Sequence, residues 1–505
     1  MIQRLIFMRF PILSADEAAA LIAHGETLGL SGFTPAGSVK ALPAAIARRA
    51  KAEHAAGRPF QVNVVSGAST SEAVDGVLAE ADALALRAPF QSSATMRSAI
   101  NSRRVPFVDM HLSTVAQAMR MGHLPQVTTA IIEVCEVTDE GDLTLTASQG
   151  NSACFCRMAQ RIILELNTYH KPELKAVHDV YEQSSSPYPG AIAISRPEDR
   201  IGSGTLRVDP QKIAGVVLTH EADHLRPYKT PTDETTRIGR HIADFLRSEH
   251  RAGRLPRREH LIIQSGVGNI ANAALKAIGE AADFPPIKMY TEVLQDAALE
   301  LIENGRCLFA SSCALTLTDD ALQHFYERFE FFRERILLRP AEISNSPEIA
   351  HRLGTICMNA ALEADICGNV NSSHVCGQQI MNGVGGSGDF ARSGALTIFM
   401  CPSVAKGGCI SCIVPMVSHT DHPEHDVDVL VTEQGVADLR GKSPRERAAA
   451  IIERCAHPDY KPLLRRYVEL SPTGHSPHDL RRAFAFHLAY LEHGDMRDSA
   501  HFFKS

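Results

Sequence analysis

Apolar residues recur in two spacings along this chain, and the alternation between them predicts its elements. Ala15 to Ile22 carries a helical period, opened by Ser14 as N-cap with Glu17 three residues on to complete a capping box. Leu28 to Leu30 is a short strand-like run into Ser31-Gly32-Phe33-Thr34-Pro35-Ala36-Gly37-Ser38. Val39 to Lys51 follows as an alanine-rich helix with Pro43 near its start. Val62 to Ser66 repeats the pattern, with Gly67-Ala68-Ser69-Thr70 leading into another helix. Strand, glycine turn and helix in succession predict a parallel sheet covered on both faces. Thr128 to Val137 reads as a longer buried strand, Asp139 to Asp142 as a turn and Leu143 to Ala147 as a returning strand. That hairpin would form an antiparallel edge on the main sheet.

Turn chemistry then takes over. Ser184 to Gly190 is loop-like, and Pro227, Pro231 and the polar 232–236 segment punctuate the chain after a Gly215–Thr219 strand. We place a boundary near 225, giving domains 1–225 and 226–505. The second half restarts with a helix that carries Ile238, Ile242 and Phe245 on one face. Beyond Pro444, Ala448 to Ile452 and Leu480 to Leu491 read as helices packed on the outside, and Met496 to Ser505 as a mobile end. The fold class is α/β: two open, mostly parallel-sheet domains, each with its own strand–glycine loop–helix units, facing one another.

The stretch from Leu261 to Asp296 concentrates the chemistry. Leu261 to Ile263 is a buried strand, and Gly266 and Gly268 flank Val267 in a tight turn. Ala271, Ala274, Leu275 and Ile278 put Asn269 to Ala282 on a helix, which Pro285 and Pro286 end. Ile287 to Thr291 is a second buried strand, and Glu292 stands at its end. Ligands in open α/β sheets meet the carboxyl ends of strands, so a carboxylate there is a candidate reactive group. Gly266 to Ala271 also fits G-x-G-x-x-G/A, with an acid 26 residues on where a dinucleotide site expects roughly 20. An NAD-binding reading therefore stands beside the glutamate reading.

Composition narrows the class. At 505 residues the chain is too long for one core, and 44% apolar with 22% charged residues is ordinary for a soluble globular protein. A net charge of −7 without a Lys/Arg run argues against nucleic acid, and no apolar stretch approaches a membrane span. The start, MIQRLIFMRFP, is too short an apolar run for a signal peptide, and twelve cysteines in this length read as reduced thiols. The expectation is a cytoplasmic enzyme.

Three patterns invite metal or redox readings. His220-Glu221-Ala222-Asp223-His224 fits H-E-x-x-H, but a strand runs into it and Pro227 leaves hardly any room for the helix that zinc chemistry needs. Cys409-Ile410-Ser411-Cys412 runs into Ile413-Val414-Pro415, which reads as strand and not as a thiol-activating helix start. His419, His422 and His425 lie with Asp421, Glu424 and Asp426 in a Pro-containing turn, by default a polar connection between strands. No metal is expected.

QSGVGNIANAAL followed by YTEVLQD resembles the acetyl-CoA hydrolase/transferase family, class I CoA-transferases that use an active-site glutamate. SGFTPAG, SNSPEI, EADICGNVNSSH, MNGVGGSGDF, PSVAKGG and VTEQGVADLRGKSP extend that resemblance over nearly the whole chain, closest to the succinyl-CoA:acetate branch. The resemblance implies that Glu292 attacks an acyl-CoA thioester and carries CoA as a glutamyl thioester. It implies oxyanion donors at Gly386 and Val267, in glycine loops Gly385-Gly386-Ser387-Gly388 and Gly266-Val267-Gly268-Asn269-Ile270, the latter also contacting CoA or substrate. It further implies that Asn345 holds the acyl group, Glu433 orients the site, Arg226 receives a free carboxylate and Lys406 contacts CoA. Partners would be acyl-CoA and small carboxylates, with no cofactor beyond CoA as co-substrate, in a homodimer. A water-using thioesterase and a CoA-binding protein without turnover are the alternatives.

Overall fold

The strand Thr129–Val137 organises the first half of the protein because it has a neighbour on each side. In the computed structural model, which describes residues 9–183, 190–223, 225, 230–256, 259–281 and 283–504, it runs parallel to Thr27–Leu30, with Leu28 against Thr129. It also runs parallel to Arg161–Asn167, with Thr129 against Arg161. Past Val134 it turns antiparallel to Asp142–Leu145, the hairpin edge that the sequence predicts. Val62–Val65 and Leu84–Ala88 extend the sheet beyond Thr27–Leu30, and Ile213–Thr219 extends it beyond Arg161–Asn167. Alternation along the central strand sends Ala130, Ile132 and Val134 into one core with Phe155 and Met119. Ile131 points into the other, with Ile46, Leu78 and Val64. Both faces are covered, as parallel sheets require.

The capping box at Ser14 is present, and its helix is Ala15–Ala20. The next helix is Leu42–Ala55, starting later than the expected Val39. Its first backbone N–H groups need partners outside the helix. The buried Glu165 carboxylate supplies them, accepting from Ala41 at 3.1 Å and Leu42 at 2.8 Å. Beside it Lys40 is buried between Glu133 and Asp223, at 2.9 and 3.0 Å. Residues 220–223 are not helical, and His224, the second histidine of H-E-x-x-H, lies outside the described residues.

In the second half, helix Asp233–Arg251 buries Ile238, Ile242 and Leu246 and leaves Phe245 half-buried. It approaches helix Asn269–Glu280 so closely that a Cβ on Gly239 would lie 2.6 Å from the Ala273 carbonyl. Strands Leu261–Ser265, Ile356–Ala360, Leu396–Met400 and Val429–Thr432 lie side by side in parallel, closed by the antiparallel Gly435–Asp438. Helix Pro444–Cys455 begins on its proline and extends beyond Ala448–Ile452 at both ends. The predicted Leu480–Leu491 helix forms only from Ala485 to His493, with turns before it. The expected mobile end is instead packed: Met496–Phe503 is a 3-10 segment with Met496 and Phe503 buried, and Phe503 rests edge-on against Tyr467 and Phe486. Polar flanks hid the apolar anchors that hold it.

Spatial grouping divides the chain into two compact units that are not consecutive in sequence. One takes Met1–Pro227, Met289–Leu299 and Phe309–Ile349; the other takes Tyr228–Lys288, Glu300–Leu308 and Ala350–Ser505. Among the described residues no helix is long and apolar enough to cross a membrane.

In the first unit, His178 makes the fold sensitive to acid. Its Nε2 lies 3.0 Å from the Leu145 and Thr146 carbonyls and therefore carries the proton, while Nδ1 lies 3.2 Å from the Gln149 amide nitrogen and accepts. Burial pushes its pKa down to about 4, against about 6.5 in an unfolded chain. The unfolded chain binds a proton that the native one refuses, so this stability is complete above the unfolded value and falls away toward pH 4. Wild type should lose about 2 kcal/mol more than His178→Gln between pH 7 and pH 5, measured by urea unfolding.

Candidate active site

Glu292 stands where the chain leaves one strand and starts another. Strand Ile287–Tyr290 ends, Thr291 donates to Ser311 at 3.0 Å, and Val293–Leu294 then pairs in parallel with Ala314–Leu315. The Glu292 carbonyl accepts the Cys313 N–H at 2.9 Å and the Ser312 hydroxyl at 3.0 Å. The backbone is therefore fixed on both sides of a half-buried carboxylate. Its partner ladder is braced in turn: Gln149 N–H donates to the Cys313 carbonyl at 3.1 Å and Leu315 to that of Ala147 at 2.8 Å. The Ser31–Ser38 loop reaches the same place, with the hydroxyls of Thr34 and Thr316 2.8 Å apart.

The Asn345 side chain meets the glutamate. It is fully buried, follows the short helix Ala341–Ser344, and its Nδ2 donates to Glu292 Oε2 at 3.0 Å. The Ser344 hydroxyl donates to Asn345 Oδ1 at 2.9 Å, which fixes which end of the amide faces the glutamate. Tyr290 anchors this turn through its hydroxyl on the Ile343 carbonyl. Behind it, the buried Arg339 guanidinium pairs with Asp179 and donates to Ser311 Oγ at 2.8 Å. The Cys313 thiol is also here, and burial pushes its pKa up to about 12, so it stays a thiol.

Other predicted residues lie in the second unit. Gly266 donates to the Met358 carbonyl at 2.8 Å, next to a reciprocal amide pair between Gln264 and Asn359. Val267 is 46% exposed, and Gly268 takes φ +113°, where a side chain is strained, at the N-cap of Asn269–Glu280. Asn269 and Ile270 form the first turn of that helix, whose N–H groups have no acceptor within the helix. Gly386 caps helix Ser387–Ala391 at an ordinary φ of −90°, while Gly383 and Gly385 beside it take +152° and +62°. Glu433 is held by the Ser403 N–H at 2.8 Å, the Ser403 hydroxyl and the Gln434 amide at 2.8 Å. Burial pulls its pKa up, but these donors outweigh it and hold the carboxyl below its ordinary value. The exposed Lys406 donates to the Tyr490 hydroxyl at 2.6 Å. Arg226 lies outside the described residues.

Sequence reasoning missed Ser344, Ser403 and Gln434, although each sits inside or beside a quoted motif: SNSPEI, PSVAKGG and TEQG. Tyr490 lies 84 residues from Lys406 and gave no local signal. The strand-like reading holds for Ile410–Ser411 and Ile413–Val414, with Cys409 in the turn before them and Cys412 between them, and all twelve cysteines are free.

Large, mostly parallel sheets in a mixed α/β arrangement are the fold also seen in CoA-transferases, here with a glutamate fixed at a strand end by an asparagine amide. The chain belongs to the acetyl-CoA hydrolase/transferase family: that family's N-terminal domain matches residues 9–217 and its C-terminal domain residues 322–468. It is 46% identical to the propanoyl-CoA:succinate CoA transferase of Escherichia coli K12 over 484 residues, covering 96% of this chain and 98% of the relative. Identity to the succinyl-CoA:acetate CoA-transferase of Clostridium kluyveri is 44% over 489 residues, covering 96% and 90%. The acetyl-CoA hydrolase of Schizosaccharomyces pombe is 40% identical over 494 residues, covering 94% of each chain. In fold it resembles the 4-hydroxybutyrate CoA-transferase of Porphyromonas gingivalis, with a TM-score of 0.61 at 20% identity over 91% of this chain and 97% of that one.

The Asn345 contact yields a test. Asn345→Asp would set a second carboxylate about 3 Å from Glu292, and two such groups cannot both ionise freely. Turnover that requires ionised Glu292 should lose its acid-side activity at a higher pH. The acid limb of the kcat/KM profile for acyl-CoA should move up by at least one pH unit, measured against wild type.

Proposed function

We propose that this enzyme transfers coenzyme A between carboxylic acids, converting succinyl-CoA and acetate to acetyl-CoA and succinate by a ping-pong mechanism through Glu292. The observation that carries the reading is the Asn345 amide on Glu292 Oε2, which presents the carboxylate in one orientation for attack. The relative named for succinyl-CoA and acetate, at 44% identity, supports this acid pair, and the one named for propanoyl-CoA and succinate, at 46%, supports succinate as one of the acids.

A Glu292 oxygen attacks the thioester carbonyl carbon. The C–S bond breaks, CoA leaves as thiolate and a mixed anhydride remains. The thiolate attacks the Glu292 carbonyl carbon, the anhydride C–O bond breaks, and the first acid departs as its carboxylate from a glutamyl-CoA thioester. The second carboxylate reverses these steps. Each addition passes through an oxyanion that fixed N–H donors stabilise; Gly386 and Val267 fill that role in this reading. Asn345 holds the acyl oxygen, Glu433 stays ionised and orients the site, and Arg226 receives the free carboxylate. Lys406 meets CoA, which passes over Gly266 to Ile270. No metal and no cofactor other than CoA takes part.

The enzyme works in the cytoplasm as a homodimer. Support for a second copy comes from an exposed apolar stripe: Leu480 is 83% exposed, Phe484 43%, Leu488 42% and Leu491 65%. Two antiparallel copies would set Phe484 against Leu488 and the exposed Arg481 against the exposed Glu492. Leu488→Glu with Leu491→Glu should halve the mass measured by light scattering; an unchanged dimer would exclude this face.

Acetyl-CoA hydrolysis is the second reading, favoured by the Schizosaccharomyces relative. Incubation with acetyl-CoA alone, then borohydride and peptide mass spectrometry, should mark Glu292 as an alcohol, and Glu292→Ala should lose both the mark and CoA exchange. Glu292→Asp should be nearly as inactive, since its carboxylate falls short of the attack distance of about 3–3.5 Å. Thioester loss that is as fast without succinate as with it would instead establish the hydrolase.

A further inference from the structure

One histidine of the polar turn at 419–426 is not solvated. His422 is buried, and its ring lies over Phe399 with centroids 4.7 Å apart. Its backbone pairs with Val370, donating at 3.1 Å and accepting at 2.8 Å. Its Nε2 lies 3.0 Å from the Ser387 hydroxyl, the residue after Gly386. That hydroxyl also lies 2.8 Å from the Val384 carbonyl, which can only accept. The one proton of Ser387 is thus committed to Val384, so toward the ring the oxygen accepts and His422 must carry its proton on Nε2.

The resulting chain, His422 to Ser387 to Val384, ties the two ends of the turn that holds Gly385 and Gly386. Gly383 and Gly385 in this turn occupy φ values of +152° and +62°, which glycine adopts readily but at the largest cost in conformational freedom of any residue. Neither residue supplies a side chain to pin it. Something outside the turn must fix the direction of its N–H groups, and the buried imidazole is placed to do so. We propose that His422 is a positioning residue, which through Ser387 fixes the glycine turn whose Gly386 N–H stabilises the oxyanion.

This rests on the reading of Gly386 as a donor in Glu292-mediated CoA transfer. A donor displaced by about 1 Å costs up to a hundredfold in rate, while substrate affinity, set elsewhere, stays put. His422→Phe keeps the stacking on Phe399 but removes the donor. It should lower kcat for CoA exchange tenfold to a hundredfold, with KM for acetate within about twofold. His422→Gln retains an N–H close to the position of Nε2 and should restore kcat to within about threefold of wild type.

Ser387→Ala provides a second route should His422→Phe fail to fold. It should reproduce the loss in kcat, and the double variant should be no worse than the poorer single variant, because both cut the same chain. The rate of Glu292 thioester formation, read by borohydride labelling in a single turnover, should fall in step with kcat. If His422→Phe labels and turns over like wild type, if Gln fails as badly as Phe, or if only KM changes, the positioning role is wrong while the Glu292 reading stands. If wild type never labels Glu292, the CoA-transfer reading falls, and this inference falls with it.

Discussion

The site depends on one interruption in a strand ladder. A glutamate at the end of a strand would ordinarily be free to swing, because the backbone beyond the last pair is free. Here the carbonyl of Glu292 is itself held, by the Cys313 N–H and the Ser312 hydroxyl, and pairing resumes at Val293 with Ala314. The break is two residues wide, Thr291 and Glu292. The carboxylate leaves the sheet at a position fixed before and after it, and Asn345 completes the restraint on the side chain.

Restraints of this kind pass backward into the unit through buried polar groups. Asn345 is oriented by Ser344, that turn is tied by Tyr290, and Arg339 joins Ser311 to Asp179. Removing one member would strand a buried donor or charge, which costs more than the bond itself contributes. Lys40 between Glu133 and Asp223 follows the same principle beneath the Ser31–Ser38 loop.

The second unit solves a related problem with carboxylate placement. Glu433 keeps its charge although burial opposes it, because Ser403 and Gln434 aim donors at it. Glu292 and Glu433 are thus both held by amide or hydroxyl groups. A neutral donor fixes a carboxylate without cancelling its charge.

Local patterning was enough to determine the alternating elements, the capping box at Ser14, the hairpin edge and the strand-end position of Glu292. Each follows from the nearest few residues: a period of two or of 3.6, a cap, a glycine turn. The motifs likewise pointed to Asn345 and Glu433, whose side chains are held by hydrogen bonds, and the family followed from the order of the motifs along the chain. Tertiary structure alone decided the rest. The late start of helix Leu42–Ala55 was set by Glu165, more than a hundred residues away. The packing of the tail was set by Tyr467 and Phe486, and the burial of His422, in a turn that read as solvated, by Phe399 and Ser387. Which stretches fold into which unit was also out of reach, since Met289–Leu299 and Phe309–Ile349 join a unit whose other residues end at Pro227. Periodicity reports which face of an element is buried, but not what lies against it, and a side chain's hydrogen-bond partner is chosen only when distant segments meet.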